Sequence, residues 1–161
     1  MRRKDKLITD PARLHQIIKA SPYMVMGLAN ENTPYAVPLD FAFDGRDVYF
    51  HCAREGRKLD MLAANPQVWL LFVNYGGIFS SGTDNTACSY STRFASVMAF
   101  GEAEIIEDPE QKKQVFKLLM AKIGKEDLPL RPGMLEVTCT VRVNIREMTG
   151  KQSPRDKAKQ D

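Results

Sequence analysis

The alternation of hydrophobic and polar residues predicts a chain built mainly of strands. Large apolar side chains alternate with small or polar ones over residues 35–43, and the alternation returns over residues 135–145. A period of two is typical of a strand with two unlike faces. The apolar run 67–75 instead predicts a strand buried on both faces, and residues 94–107 predict a long strand with small residues in its middle.

Capping signals predict helices between these strands. Asp10 and Asp108 each precede a proline, and Gln111 completes a capping box after Asp108. A third, short helix is predicted over residues 58–65. The total is six strands and three helices without regular strand–helix alternation, which disfavours a parallel doubly wound sheet. We therefore predict a mainly β fold, an antiparallel barrel of six strands with peripheral helices.

Length and charge limit the classes of protein that fit. The 161 residues suit a single domain, assigned to residues 1–150, followed by a disordered basic tail over residues 151–161. The net charge of +3 lies in the termini, because residues 1–6 carry +3, residues 151–161 carry +2 and the body carries −2. Since nucleic-acid binders concentrate basic charge on a folded face, we expect no nucleic-acid partner.

No apolar run approaches the ~20 residues that a membrane-spanning helix needs. The N-terminus shows no secretory signal, so we expect a cytoplasmic protein with no membrane partner. The three cysteines, Cys52, Cys88 and Cys139, match no zinc-binding spacing, and their odd number disfavours a disulfide framework. Cys139 occupies an apolar position of a strand and is predicted to be a small buried hydrophobe. No metal site is predicted.

The segment from His51 to Lys58 carries the clearest chemical signal. It runs from the end of a strand through Gly56 into the start of a helix, where backbone N–H groups lack partners and the helix dipole adds positive charge. Arg57 and Lys58 add full charges at the same end. A phosphate fits such a site, although an ordinary strand–turn–helix with two solvated cations has the same pattern.

The strand before this segment has an unusually small face, formed by Ala36, Pro38, Asp40 and Ala42. A planar ring could lie on that flat strip. Pro38 cannot donate a ladder hydrogen bond, so it predicts a sheet edge or an interrupted pairing. An edge with exposed backbone groups beside an anion site fits a nucleotide-like cofactor. A barrel strand that closes with small inward residues fits the same pattern equally well.

A series of short motifs runs along nearly the whole chain. The motifs are residues 1–5 with 8–10, YAVPLDF (35–41), VYFHCA (48–53), EGRK (55–58), NPQV (65–68), RFASV (93–97), FGEA (100–103) and residues 145–151. Their order and spacing resemble the FMN-binding split-barrel superfamily of pyridoxamine-phosphate oxidase, and within it the nitroimidazole-resistance (Nim) branch. The resemblance implies a split β-barrel and a homodimer that holds FMN at its interface.

The resemblance also assigns roles to residues. In relatives, matching residues back the flavin ring, border the ribityl chain and phosphate, hold the phosphate, or contact the cofactor from the long strand. The corresponding residues here are, in that order, Val37, Pro38, Leu39 and Asp40; His51, Cys52 and Ala53; Gly56, Arg57 and Lys58; and Ser96. His51 would lie near the flavin and the substrate pocket and is the candidate catalytic residue. The oxidase itself closes with an arginine-bearing segment that this chain lacks, so vitamin B6 chemistry is not expected.

The resemblance implies an FMN-dependent reductase that passes electrons from NADH or NADPH to small acceptors such as nitroaromatics and 5-nitroimidazoles. Because no Gly-x-Gly-x-x-Gly fingerprint is present, the nicotinamide would bind transiently. The alternative is a flavin- or haem-binding carrier or sensor without turnover. In a haem-binding protein, His51 would be a haem ligand. A separate interpretation makes His51 a core histidine with satisfied nitrogens. The sequence also leaves open a deazaflavin in place of FMN.

Overall fold

The protein is described here by a computed structural model that covers residues 4–80 and 86–153. Its strands are β1 (Leu7–Ile8), β2 (Met24–Asn30), β3 (Thr33–Leu39), β4 (Ala42–Phe43), β5 (Val48–Ala53), β6 (Gln67–Ser80), β7 (Tyr90–Ile106) and β8 (Thr138–Gln152). Its α-helices are α1 (Pro11–Ala20), α2 (Arg57–Ala64), α3 (Pro109–Ala121) and α4 (Met134–Val137). Two short 3₁₀ turns cover Lys4–Lys6 and Ala87–Ser89.

All strands of the described chain belong to one antiparallel sheet. The order is β3-β2-β6-β7-β8-β5-β4, and β1 pairs with β8 outside this path. The sheet curls around an apolar core but does not close, since β3 and β4 remain its two ends. The predicted mainly β, antiparallel architecture with peripheral helices is confirmed. The described residues hold eight strands rather than six, because β1 is present and the predicted strand over residues 35–43 is split in two.

The helices cover different parts of the sheet. Helices α1 and α2 bury apolar side chains in the main core inside the curl, whereas α3 packs on the outer face of β4 and β5. The main core includes Leu14, Ile18, Met26, Phe50, Leu62, Phe72, Val97 and Val141. The second cluster contains Ala42, Ile106, Val115 and Leu119. None of the helices in the described chain is long and apolar enough to cross a membrane.

The predicted helix starts at Asp10 and Asp108 are confirmed. The Asp10 carboxylate accepts a hydrogen bond from the Ala12 N–H at 3.0 Å. The Asp108 carboxylate accepts one from the Gln111 N–H, also at 3.0 Å. Each cap satisfies a backbone donor that the first turn of a helix otherwise leaves unpaired.

The predicted strand over residues 35–43 breaks at Asp40 and Phe41. The Phe41 ring turns into the core and meets the Phe72 ring edge-on at a centroid distance of 4.9 Å. The break shifts the alternation, so Ala42 is buried against α3 and does not continue the small exposed face. The small face is therefore limited to Ala36, Pro38 and Asp40. Pro38 lies in an edge strand, as its missing N–H predicts.

The last strand begins later than its alternation predicts. Residues 134–137 form α4, and the Val137 side chain is 66% exposed instead of facing the core. The Thr138 hydroxyl donates a hydrogen bond to the Met134 carbonyl at 2.6 Å, which closes this turn. Thr138 is also the residue that pairs with Ala53, the last residue of β5. Earlier residues have no β5 residue beside them, so the alternation alone does not make them a strand.

Strand β8 contains a bulge and extends beyond the predicted end of the domain. Gly101 pairs with Ile145 and Phe100 pairs with Glu147, so Arg146 is the extra residue. Beyond the bulge β8 continues to Gln152, and the Ser153 N–H donates to the Phe94 carbonyl at 2.9 Å. The strand thus runs past the boundary predicted at residue 150. The rest of the predicted tail, residues 154–161, lies outside the described residues.

Strands β6 and β7 are longer than the strands predicted over residues 67–75 and 94–107. β6 continues to Ser80 and β7 starts at Tyr90, so the two strands form a long hairpin. Residues 81–85 lie outside the described residues.

Gly101→Ala is expected to destabilise the fold, because a Cβ at residue 101 would lie 2.5 Å from the Asn144 carbonyl oxygen and 2.9 Å from Val143. Neither neighbour is a flexible side-chain end, so the strands must shift, and such overpacking costs about 1–3 kcal/mol of unfolding free energy. Gly27→Ala is the matched control, since its Cβ would meet only the Trp69 carbonyl oxygen at 3.7 Å. Equal urea midpoints for the two variants would contradict this packing.

Candidate cofactor site at an open seam

Two strand edges face each other without pairing. β4 is only two residues long and pairs with Val48 and Tyr49, so residues 50–53 of β5 have a described strand, β8, on one side only. β3 lies at the other end of the sheet and pairs only with β2. We call the gap between β3 and residues 50–53 the open seam. Its backbone N–H and C=O groups are available to a ligand.

Contacts at both ends show that the two edges are close. At one end, the Arg57 guanidinium lies 4.7 Å from the centre of the Tyr35 ring in β3. At the other end, the chain crosses from β3 to β4 through Asp40, whose charge acts on the imidazole of His51. The seam therefore extends from Asp40 to Tyr35 and leads to the start of α2.

The turn into α2 has the geometry of an anion site. Gly56 caps the helix with φ 119°, a conformation that strongly favours glycine, and it provides no side-chain cap. The Gly56 carbonyl accepts from the N–H groups of Leu59 and Asp60 at 2.8 and 3.3 Å. A Cβ on Gly56 would meet no atom within 4 Å. There is space for a phosphate beside first-turn N–H groups, with Arg57 and Lys58 at the same end.

The structure brings ten of the eleven predicted cofactor-binding residues to the seam or its end. They are Val37, Pro38, Leu39, Asp40, His51, Cys52, Ala53, Gly56, Arg57 and Lys58. Ser96 is not among them. It lies on the outer face of β7, two residues from Met98, and Met98 is separated from Pro38 by the row of Leu71 and Val25. Three strand spacings amount to roughly 14 Å, so Ser96 does not reach the edge of β3 in its own chain.

His51 lies on the outer side of β5, under α3. Its ring is tilted against Phe116 at a centroid distance of 5.2 Å. Its Nδ1 atom is buried, and so is the hydroxyl of Thr140, the residue paired with it on β8. Among the described residues neither atom has a hydrogen-bond partner. Because buried polar atoms are nearly always hydrogen-bonded, a bound group or a bridging oxygen is the partner that would satisfy these two atoms.

The surroundings of His51 favour its neutral form. Burial lowers the pKa of His51, and the nearby Lys58 ammonium lowers it further. The Asp40 carboxylate acts in the opposite direction. The pKa of the His51 imidazole therefore lies below its ordinary value.

Lys122 is a site residue that the sequence pattern did not indicate. Its ammonium donates to the Pro22 carbonyl at 3.2 Å and lies 3.4 Å from the centre of the Phe41 ring. Burial lowers the pKa of Lys122, and Asp40 partly offsets this. Lys122 follows α3, far from Asp40 along the chain, so only the packing of α3 on the sheet brings it here. Phe116, which lies within α3, likewise reaches His51 only through this packing.

The described residues offer no group of three or more His, Cys, Asp and Glu side chains that could hold a metal ion. The polar groups at the seam are instead backbone edges, three cations, one imidazole and one carboxylate. Such a set suits an anionic organic ligand.

Comparison with protein families gives one match, which covers most of the chain. Residues 10–152 match the family described as pyridoxamine 5′-phosphate oxidase. No match is found among curated proteins.

Solved structures with the same architecture include a candidate 5-nitroimidazole antibiotic resistance protein from Bacteroides thetaiotaomicron. It is 30% identical, with 90% of this chain and 85% of that chain covered and a TM-score of 0.78. The flavocytochrome Anf3 from Azotobacter vinelandii is 22% identical, over 96% of this chain and 72% of that one, with a TM-score of 0.81. An FAD and heme binding protein from Mycobacterium smegmatis is 21% identical, over 93% and 74%, with a TM-score of 0.80. The last two show a shared fold.

The pKa of His51 is expected to lie below 6.5 in the folded protein. Because the unfolded chain then binds the proton more readily, stability falls as the pH drops through 6.5 towards the folded pKa. His15→Gln leaves His51 as the only histidine, so a proton NMR titration reports it directly. In that background Lys58→Met is expected to raise the midpoint and Asp40→Asn to lower it. A midpoint above 6.5, or shifts of the opposite sign, would contradict this description of the site.

Proposed function

We propose that this chain, which belongs to the pyridoxamine 5′-phosphate oxidase family, is an FMN-dependent reductase of small acceptors such as nitroaromatics and 5-nitroimidazoles, with NADH or NADPH as the electron donor. The observation that carries the proposal is the glycine turn at Gly56, which opens onto two unpaired strand edges. When bound, FMN supplies the electron transfer, and the protein supplies position, electrostatics and control of water.

The turn at the start of α2 would hold the FMN phosphate. The space beside Gly56 is open. The first turn of a helix leaves backbone N–H groups unpaired, and the positive end of the helix dipole lies there. Arg57 and Lys58 add two cations able to donate charge-assisted hydrogen bonds to phosphate oxygens. The Arg57 guanidinium already rests on Tyr35, which restricts its motion before the phosphate arrives.

The edge of β3 would hold the flavin ring. Val37 and Leu39 pack against the core, so the exposed side chains in the second half of this strand are the small Ala36 and Pro38. A planar ring can approach such an edge closely and exchange hydrogen bonds with its peptide groups. Asp40 and Lys122 stand at the far end of the seam and provide one charge of each sign.

His51 would move a proton during reduction. Its imidazole lies on the β5 side of the seam and is neutral at pH 7, since its pKa lies below 6.5. Reduction of a nitro group to a nitroso group takes up two electrons and two protons and releases water. Proton transfer by a positioned side chain contributes ~10²–10⁴-fold to such a rate.

A second copy of the chain would complete the site. The outer face of β3, β2, β6 and β7 carries an apolar strip that includes Trp69, Leu71, Val73, Met98 and Phe100, and three of these side chains are more than 40% exposed. Contiguous exposed apolar side chains of this kind are typical of interaction surfaces. Pro38 and Ser96 lie at opposite sides of the same face. Ser96 from a partner copy could therefore reach a cofactor that Ser96 of the same chain cannot.

The alternative function is a flavin- or haem-binding carrier or sensor without turnover. The absorbance spectrum of the purified protein separates the cofactors, because flavin gives two near-visible bands and haem one intense Soret band. Turnover with NADH or NADPH separates a reductase from a carrier.

Arg57→Ala/Lys58→Ala is expected to weaken FMN binding about tenfold or more, since each cation contributes a partly solvent-screened hydrogen bond to the phosphate. Riboflavin, which lacks the phosphate, should lose little affinity, and fluorescence titration measures both ligands. Lys113→Ala/Lys117→Ala removes the same charge from the exposed surface of α3 and serves as the control. Unchanged FMN affinity, or an equal loss for riboflavin, would place the phosphate elsewhere.

The turnover of FMN-loaded protein with a 5-nitroimidazole is expected to rise as the pH falls towards the pKa of His51, because the protonated imidazole is the donor. His51→Gln with full FMN occupancy should abolish this rise and slow turnover by roughly 10²-fold or more. Stopped-flow and steady-state assays with NADH and NADPH over pH 5–9 measure both effects. Identical pH profiles for the two proteins would remove His51 from the mechanism, and absence of turnover with every donor would favour the carrier.

A further inference from the structure

Cys52 and Cys139 occupy directly opposed positions on β5 and β8. Register partners in an antiparallel pair share a face, and here both side chains pack with the main core. The Cα atoms of such partners are about 4.5–5.5 Å apart, which lies inside the range of about 4.4–6.8 Å that disulfides require. The strand register therefore places two thiols where a disulfide can form if the two strands move slightly closer.

The two cysteines are free thiols that interact with each other. Burial, followed by the charge and the hydrogen bond of the neighbouring Cys52 sulfur, raises the pKa of Cys139 to about 11. The Cys139 thiol thus stays protonated at neutral pH and donates its hydrogen bond to the Cys52 sulfur. Cys52 is partly exposed, whereas Cys139 is buried, so Cys52 is the sulfur that a reagent from solvent meets first.

A small cavity borders Cys139, the buried sulfur of the pair. Its volume is about 90 Å³, and it is lined by Arg54, Leu59, Ile105, Glu107, Lys112, Thr138 and Cys139. This space is sufficient for a molecule of the size of water or hydrogen peroxide. The Lys112 ammonium is almost fully buried at 3.7 Å from the Glu107 carboxylate. The Glu107 charge favours the thiol form of Cys139, and the Lys112 charge partly offsets this effect.

We propose that Cys52 and Cys139 are a redox-active thiol pair that hydrogen peroxide converts into an intramolecular disulfide. The Cys52 thiolate attacks one peroxide oxygen, the O–O bond breaks, and one water leaves after protonation, so that Cys52 becomes a sulfenic acid. The Cys139 sulfur then attacks the Cys52 sulfur, the S–O bond breaks, and a second water leaves. Two thiols and one peroxide give one disulfide and two waters, and the two sulfurs supply the two electrons.

The disulfide is expected to be readily reversible. Directly opposed Cβ atoms are about 4.5–5.5 Å apart, while a relaxed disulfide holds them at about 3.5–4.5 Å. The bond must draw the strands together, and strained disulfides have higher reduction potentials. A dithiol reductant restores the pair by exchange and becomes oxidised itself. In the oxidised form β5 is tied to β8 next to His51, which fixes one edge of the open seam.

The experiment counts thiols in the full chain. Cys88→Ser removes the exposed cysteine, so that links between chains do not interfere. The reduced Cys88→Ser protein is treated with hydrogen peroxide, denatured, alkylated with iodoacetamide and weighed by mass spectrometry. Both remaining thiols should disappear together with a loss of two hydrogen atoms and return with dithiothreitol. Two thiols that persist at a dose that oxidises free glutathione would overturn the proposal, as would a disulfide between chains.

Two further variants separate the roles of the sulfurs. With Cys88→Ser/Cys139→Ser, oxidation is expected to stop at Cys52, where dimedone traps the sulfenic acid. With Cys88→Ser/Cys52→Ser, Cys139 should gain no dimedone adduct in the same time. Equal labelling of the two variants, or sulfinic acid in place of the disulfide in the Cys88→Ser protein, would contradict the order of steps. Because the readout is a thiol count, it does not depend on whether the protein turns over as a reductase.

Discussion

An unpaired backbone edge must find a hydrogen-bond partner, and this requirement organises the candidate site. β4 has only two residues because Phe41 turns into the core, so the C-terminal half of β5 is left with a single neighbouring strand. β3 ends the sheet on the other side. Two edges with free peptide groups thus face each other across a gap. In the proposed account a flavin occupies that gap, and its ring takes the hydrogen bonds that a further strand would have made.

The outer surface of the sheet has two parts, one covered by a helix and one exposed. Over β4 and β5 it is covered by α3, which brings Phe116 onto His51 and Lys122 towards Asp40. Over β3, β2, β6 and β7 it remains apolar and exposed. Because α3 covers this half, His51 is partly buried, and burial lowers the pKa of its imidazole. The uncovered half is the surface on which we propose that a second copy of the chain binds and contributes Ser96.

Local signals predicted much of this fold, and long-range packing decided the rest. The caps at Asp10 and Asp108 and the period-two strands depend on neighbouring residues, so the sequence shows them directly. The same is true of the glycine turn at Gly56. The alternation over residues 135–145 predicts that Val137 lies in a strand. However, β5 ends opposite Thr138, so Val137 has no β5 residue beside it. Phe116, Thr140 and Lys122 reach His51 and Asp40 only through tertiary contacts, and no local pattern marks them.

A crystal structure of the protein grown with FMN would test the central claim most directly. The account predicts the phosphate at the N–H groups of Arg57 and Lys58, beside the open space at Gly56. It also predicts the ring along the edge of β3 between Val37 and Asp40, and a second copy of the chain over the apolar outer face. A phosphate bound elsewhere on the chain, or direct pairing of β3 with β5 that closes the seam, would contradict the account.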